Sequence, residues 1–515
     1  MTVRSRGWLS AIGQEGTAGI VLRTALLLVS LILLPTLLSS VGLPAQARQV
    51  VIPVSGALLI AATYLWRPAE ALFAMAVFMM FSETTAWYIG APIKRIDEVS
   101  LLLLAPIAAW RALPRWRSWV SWPRDLPIAV AVLAGLISSL AAHVPVGVWV
   151  PAGLLLAKAI VFFYIVMLSR ISATEARAGL WVVIAAGVVV AMLGAVELFN
   201  PDRFQELLNL NHYVRLRSEN VVVKSVFVHP ALFGYFTTFV ALLLLARYLV
   251  TRQLRWLFVS LVVATGPFLS ARRRAILALT AGAFAALVAS PRLFHSWSSL
   301  VRTWIPAAAG GVVLFVLFLS LLTGLYDLTL EKYGIGVPGL EPTPSPGEVI
   351  VEPPGEGENA RARFALYEGS VEIARDYLPL GGGMGRFGSW MSRQQYSPLY
   401  TRYGLDTVRG LKPPNPTAAT DTFWPQILGE MGIIGLLGYA AFLAALGWML
   451  WREVGRDDGQ ELRILRLAAG MLFAQALVES LASSMFNSPS RVYLMVLVIG
   501  IVASIAWQRP REAEA

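Results

Sequence analysis

Cysteine is absent from the 515-residue chain, so disulfides, thiolate nucleophiles and cysteine–metal sites are excluded at the outset. Histidine is nearly absent. The four present (His143, His212, His229 and His295) show neither the HxxxH nor the HExxH spacing that a histidine metal cage on a helix requires. No metal site and no cofactor is expected. Charge is scarce as well: 14% of residues are Asp, Glu, Lys or Arg, against about 25% in an ordinary soluble domain. Lysine supplies only five of the 42 basic residues, so nearly all of the positive charge is planar, permanently ionised guanidinium. Walker, kinase, Rossmann and GxSxG signatures are missing, and no repeat of 20–50 residues is visible.

What remains is apolar. The chain is 57% hydrophobic, its mean hydropathy is +0.65, and its apolar runs approach the ~20 residues that a membrane-spanning helix needs. Backbone exposed to lipid must satisfy its own hydrogen bonds, so helices are the expected spanning element. The fold class read from the sequence is all-α: a polytopic helical bundle of about 14 spans. Their limits are 20–40, 49–66, 70–90, 98–112, 126–142, 148–168, 178–199, 230–250, 255–271, 274–290, 304–325, 421–450, 466–484 and 491–508. The fourth has the shortest apolar core. The first follows Arg4 and Arg6 and precedes Ala45-Gln-Ala47, as in a signal peptide, but its run exceeds a signal h-region and is read as an uncleaved span.

A net charge of +11 would suggest nucleic acid in a soluble protein. In a membrane protein it is first a topology signal, because cytoplasmic loops collect Lys and Arg, and no nucleic acid partner is expected. With the N-terminus inside, nearly every inside loop carries arginine: Arg67, Arg111, Arg124, Arg170, Arg177, Arg252, Arg255, Arg292, Arg302, Arg452, Arg456, Arg463 and Arg466. Both termini are then cytoplasmic, residues 1–19 and 509–515. Spans one to eleven fill 20–325, with an external loop at 200–229. One large external loop covers 326–420, and spans twelve to fourteen fill 421–508.

Some arginines violate this bias. In FLSARRRAILAL, Arg272, Arg273 and Arg274 fall in the external turn between spans nine and ten. The external 200–229 segment carries Arg203, Arg215, Arg217, Lys224 and His229, and the 326–420 segment carries Arg361, Arg363, Arg386 and Arg409. Basic groups from three loops on one face point to an anionic ligand there; pairing with external carboxylates or lipid phosphates is the plainer alternative. A lipid-linked pyrophosphate suits the first reading, since arginine grips phosphate bidentately and stabilises a pyrophosphate leaving group.

Within the large loop, the Pro-, Gly- and Glu-rich stretch 336–359 reads as disordered or as an extended flap. Next, in ARARFALYEGSVEIARDYLPL, Phe364, Tyr367, Val371 and Ala374 recur at helical spacing and predict an amphipathic helix. GGGMGRF at 381–387 is either a backbone anion nest or a flexible turn. At the mouth of span twelve, Asp421 is the carboxylate best placed for proton transfer with a sugar hydroxyl. Glu430, nine residues deeper, is read as pairing across helices. Glu197 and Glu479, near external span ends, are expected to pair with arginines.

Three motifs resemble the O-antigen ligase and O-antigen polymerase superfamily, bacterial membrane glycosyltransferases of GT-C type. VFVHPALFGYF is similar to the family's G-x-F-x-(N/H)-P-N helix opening, and FLSARRRAILAL to its S-R-x-A span end. RARFALYEGSVEIARDYLPLGGGMGRF followed by DTFWPQILGEMGIIGLLG is similar to its late-loop run. The resemblance implies a lipid-bilayer enzyme of the bacterial plasma membrane with its site on the external face. Its donor would be an undecaprenyl-diphosphate-linked glycan and its acceptor another glycan, with a chain-length regulator and a flippase as further partners. Arg273 takes the place of the family's essential arginine. Ligases of the family carry histidine where this chain has Asp421, and Asn where it has Thr422, which favours a polymerase over a ligase. The family's second essential cation has no clean counterpart: Lys224 stands nearest, with Arg215 and Arg217 as alternatives. His229, Arg272, Arg274, Arg361 and Arg363 complete the expected substrate-binding set. Transport of an anionic or lipid-linked substrate, and a catalytically silent assembly role, stay open beside this reading.

Overall fold

The computed structural model of the chain describes residues 16–114, 121–208, 222–294, 296–321, 356–414 and 416–508. Every long element described is a helix. The first half holds α1 (Thr17–Ser40), α2 (Ala45–Trp66), α3 (Pro68–Met80), α4 (Ser82–Ile89), α5 (Ile96–Ala112), α6 (Trp122–Ala141), α7 (Val146–Ser169), α8 (Ala173–Phe199) and the short α9 (Pro201–Leu207). There follow α10 (Pro230–Thr251), α11 (Leu254–Val263), α12 (Thr265–Leu269), α13 (Arg273–Leu293) and α14 (Trp297–Leu321). After the large loop's helix α15 (Glu356–Asp376) and its short turns α16 (Trp390–Gln394) and α17 (Pro398–Arg402) come α18 (Trp424–Val454), α19 (Gln460–Ser480) and α20 (Pro489–Gln508).

Among the described residues nine helices are long and apolar enough to cross a membrane, and the bent pair α3–α4, broken by 67°, makes a tenth. The multi-pass helical bundle is thus present. The other expected spans fall on α5, which has 17 residues, on the split pair α11 and α12, on α19, whose first two turns carry Glu461, Arg463 and Arg466, and on α14.

Local chemistry sets the ends. Ser172 and Glu175 form a reciprocal capping box at the start of α8. The side chain of Asn200 accepts from Arg203 N ahead of α9, with Pro201 at the first helical position. A helix that is apolar all round belongs at the centre of a bundle, and α10 obeys: 89% of its most apolar window is buried. Close packing relies on small residues. Along α8, a Cβ on Gly179, Gly187 or Gly194 would strike Phe73, Val240 or Phe233, so this helix draws in α3 and α10 through missing side chains.

The large loop folds around its own small core of Ala362, Leu366, Ile373, Phe387, Leu399, Tyr400, Leu405 and Leu411. This corrects the expected surface of α15. Its inward stripe is Ala362, Leu366 and Ile373, whereas Phe364 and Val371 are exposed. Spacing alone finds a helix, but two apolar stripes were available, and of the four expected residues only Ala374 is buried. The expected disordered stretch 336–359 overlaps α15 at 356–359, which are helical; 336–355 lies outside the described residues.

Candidate functional site: an arginine-rich end of the bundle

Helices α10, α13, α18 and α20 all begin at one end of the bundle, which also receives the ends of α8 and α19. The three arginines lie here. The chain leaves α12 through Ala271, whose φ of 49° is left-handed, and enters α13 at Arg273. Successive helical residues diverge by about 100°, so the three side chains leave toward different walls. Arg272 Nη2 lies 3.5 Å from His229 Nε2. Arg274 donates from Nη1 to the carbonyl of Ala482 at 3.1 Å. Arg273, half-buried, stands between them on the first turn.

His229 is fixed by its own helix: Nδ1 accepts the backbone N–H of Ala231 at 3.0 Å and caps α10. Accepting at Nδ1 puts the proton of a neutral imidazole on Nε2. Arg272 and His229 then present hydrogens toward one another, a geometry that an anion can bridge.

Glu197, at the end of α8, builds the neighbouring wall. Its Oε2 accepts the backbone N–H of Lys224 at 3.0 Å and of Ser225 at 2.6 Å, and its Oε1 accepts from Gln205 Nε2 at 3.0 Å. The expected arginine partner is therefore replaced by main chain: the carboxylate is a buried clasp for the loop ahead of α10. Val223 N donates to Leu269 O at 3.1 Å, which docks this loop on the arginine turn. Burial lowers the Lys224 ammonium from its usual range to about 8, a shift that Glu197 partly offsets. Arg215 and Arg217 lie outside the described residues.

Asp421 stands three residues before α18 and takes Arg363 Nη2 on its Oδ2 at 3.0 Å. Both side chains are about one-third exposed, so the pair faces an accessible space. Next to it Thr422 is fully buried, its hydroxyl without a hydrogen-bond partner among the described residues. Arg361, two residues before Arg363 on α15, is exposed, and the structure does not bring it into this cluster. Among the described residues no three His, Asp or Glu side chains gather into a metal-binding group.

GGGMGRF proves to be no free turn, and the carboxylate its backbone meets is the chain's own Glu430. The stretch plugs a break in α18. Gly432 has φ 70° and ψ −166°, non-helical values that suit glycine, and a Cβ there would overlap the Leu380 carbonyl carbon at 2.3 Å. Gly382 and Gly383 donate to the carbonyls of Gly429 and Glu430, at 2.8 and 3.0 Å, which the break has freed. The Glu430 carboxylate accepts Phe387 N at 3.0 Å and Gln426 Nε2 at 3.3 Å. The structural reading of Glu430 holds, with a loop backbone as partner in place of a cation. Beside the plug, Met384, Met431 and Tyr439 help line an apolar hollow of about 210 Å³ between α6 and α7.

Two features of this end were missed. The corner at 480–482 is gripped from three sides: Trp424 Nε1 on Ser480 Oγ at 2.9 Å, the Tyr367 hydroxyl on Leu481 O at 2.9 Å, and Arg274 on Ala482 O. Arg491, in the first turn of α20, lies with Glu479, Asp421 and Arg363 within electrostatic range of Arg274. The signal for Arg491 was in the sequence, because the topology counts it as one more arginine at an external span end.

Residues 258–440 match the family model described as O-Antigen ligase. A search of curated proteins returns no match. The matched segment runs from α11 to the middle of α18 and contains Arg272–Arg274, Arg363, the glycine plug and Asp421. Over residues 258–440, about a third of the chain, the protein is thus similar to the O-antigen ligase family.

Proposed function

We propose that the protein is a membrane glycosyltransferase that polymerises undecaprenyl-diphosphate-linked oligosaccharide repeat units on the external face of a bacterial plasma membrane. The observation that carries the reading is the convergence of Lys224, His229, Arg272–Arg274 and the Arg363–Asp421 pair at one end of the bundle, largely within the family-matched segment.

In this mechanism the donor's isoprenoid stays among the helices, where the hollow beside Met384 offers apolar walls, and its diphosphate meets the arginine turn. Arg272, with the Nε2–H of His229, holds one phosphate; Arg273 and Lys224 neutralise the remaining charge. The acceptor hydroxyl oxygen attacks the anomeric carbon. The bond from that carbon to the phosphate oxygen breaks, and undecaprenyl diphosphate leaves with the electron pair, its developing charge spread over the guanidinium groups. The hydroxyl proton passes to the Asp421 carboxylate, which Arg363 orients through Oδ2.

The test supplies purified protein in detergent with a defined undecaprenyl-diphosphate oligosaccharide as sole substrate. A ladder of repeat units with release of undecaprenyl diphosphate is the expected outcome. Product formed only when lipid A core or a protein is added, and stopping at one transfer, would replace the polymerase by a ligase. No transfer, with flux of the lipid-linked donor across vesicles, would replace the enzyme by a transporter.

A further inference from the structure

The established pattern of the site leaves Arg491 unused. It lies 51 residues beyond the end of the family-matched segment, on the last helix, and nothing in that match assigns it a role. Its surroundings do. The Nε and Nη1 atoms of Arg491 are buried and meet no hydrogen-bond acceptor among the described residues. Its own backbone is held firmly: the carbonyl accepts the Tyr235 hydroxyl at 2.7 Å, so the position of the side chain's root is set by the central helix α10. Glu479, 1% exposed, lies within electrostatic range of it, and its Oε1 is likewise unpartnered among the described residues. No ion pair joins Glu479 to Arg491 or to Arg274, although the three lie within electrostatic range of one another.

Buried donors of this kind are costly. An unsatisfied buried polar group is destabilising, more so when charged, and native proteins retain few of them. Here two arginines approach each other, and their like charges raise the cost further. Such an arrangement is sensible where an anion completes it. A phosphate grips one edge of a guanidinium bidentately, through Nη2 and either Nε or Nη1, and on Arg491 each of these edges has a free N–H. Arg274 supplies the second cation from the far side of the turn that carries Arg272, so the anion held by Arg272 and His229 and the anion held here would sit on either side of Arg273.

We propose that Arg491 and Arg274 form a second phosphate subsite, which takes one phosphate of a diphosphate group while Arg272 and His229 take the other. Glu479 is its positioning residue: it is a buried carboxylate within electrostatic range of both arginines, and its charge keeps the pair from moving apart. The inference rests on the diphosphate-transfer reading above and extends it to a helix outside the matched segment.

The test measures binding of inorganic pyrophosphate and of undecaprenyl diphosphate to the purified full chain by calorimetry, for the wild type and for Arg491→Gln. Weakening of both probes by about tenfold or more supports a subsite that recognises the phosphate itself. Weakening of undecaprenyl diphosphate alone supports a subsite filled only by a membrane-anchored head group. Unchanged affinity for both probes overturns the proposal and leaves the enzyme reading intact, whereas a wild type that binds neither probe overturns the enzyme reading. If Arg491→Gln does not fold, Arg491→Lys carries the test. It keeps the charge and loses the fork, so several-fold weaker binding is expected, and wild-type affinity overturns the proposal.

Discussion

Arginine performs two different jobs at the two ends of this bundle. At the end where α18 finishes and α19 begins, guanidinium groups are matched. Arg466, 1% exposed, bonds Asp458 at 2.5 Å and lies 3.3 Å from Glu453. Arg463 pairs with Asp457, and Arg292 stacks on Trp451 at 4.1 Å while donating to the Trp451 carbonyl. At the Asp421 end, cations outnumber the carboxylates near them: Arg274 has Arg491, Arg363, Glu479 and Asp421 in range, and Asp421 is already taken by Arg363. Matched charge holds helices together. Unmatched charge is tolerated where a ligand supplies the missing sign.

The sharpest way to break this comparison is to keep the charge and remove the fork. Arg273→Lys should lower turnover of the lipid-linked donor by about 100-fold or more, since removing one preorganised donor at a developing anion costs about 10²–10³. Melting temperature in detergent should stay near that of the wild type. Near-normal polymer at matched expression would show that the turn carries charge only.

Stability should respond in the opposite sense at the two ends. Arg466→Ala takes from Glu453, 3% exposed, its buried partner and leaves the more exposed Arg456 at 3.4 Å. Removing one partner of a buried pair costs about 3–5 kcal/mol, so thermal melting should fall steeply, while the folded fraction keeps its activity. Arg491→Met removes two unsatisfied donors and one of two repelling cations. Its melting temperature should hold or rise as substrate affinity falls. A steep fall for both variants would mean that the Asp421 end is a structural network too.

Much of this contrast was legible in the sequence, and the shortfall has physical causes. Counting arginines against the positive-inside bias singled out Arg272–Arg274 and Lys224, because charge at an apolar boundary is a strong local signal. Partners were not legible. Glu197 was expected to meet an arginine and Glu430 to pair across helices; instead they hold the backbone of loops 27 and 43 residues away. A sequence shows a buried carboxylate, but it does not show which free N–H groups the fold will carry to it. The glycine plug escaped for the same reason. Its form depends on the break at Gly432, which lies 51 residues after Gly381 in the sequence and is in contact with it in space, a Cβ on Gly432 meeting Gly381 N at 2.7 Å.

Lys224 offers a pH test confined to one end. Its folded pKa is lowered, from 10.5 to about 8. Below pH 8 the folded protein bears the cost of a buried charge. Between about 8 and 10.5 the folded form loses a proton that the unfolded form keeps, so this group's contribution to stability rises with pH across that window. If the ammonium holds phosphate, kcat/KM should fall over the same window, by up to about tenfold per pH unit. Lys224→Arg should push that limb upward. An alkaline limb identical in wild type and Lys224→Arg would remove Lys224 from the binding set.

The smallest expected effect lies at the matched end. Arg247 lies against both Trp181 and Trp256, which touch each other with centroids 5.3 Å apart; its guanidinium carbon is 4.9 and 5.0 Å from the ring centroids, and it donates to Glu461 at 3.2 Å. A guanidinium spreads its charge over both indoles while it forks onto Glu461, which a compact ammonium does less well. Arg247→Lys keeps the charge and the Glu461 partner and loses the stacking. A cost of about 0.5–2 kcal/mol is expected, read as a modest drop in melting temperature with turnover unchanged. If turnover falls while melting does not, the two ends are coupled along α10, the buried helix that runs from His229 to Arg247, and the division of labour between them is less complete than their chemistry implies.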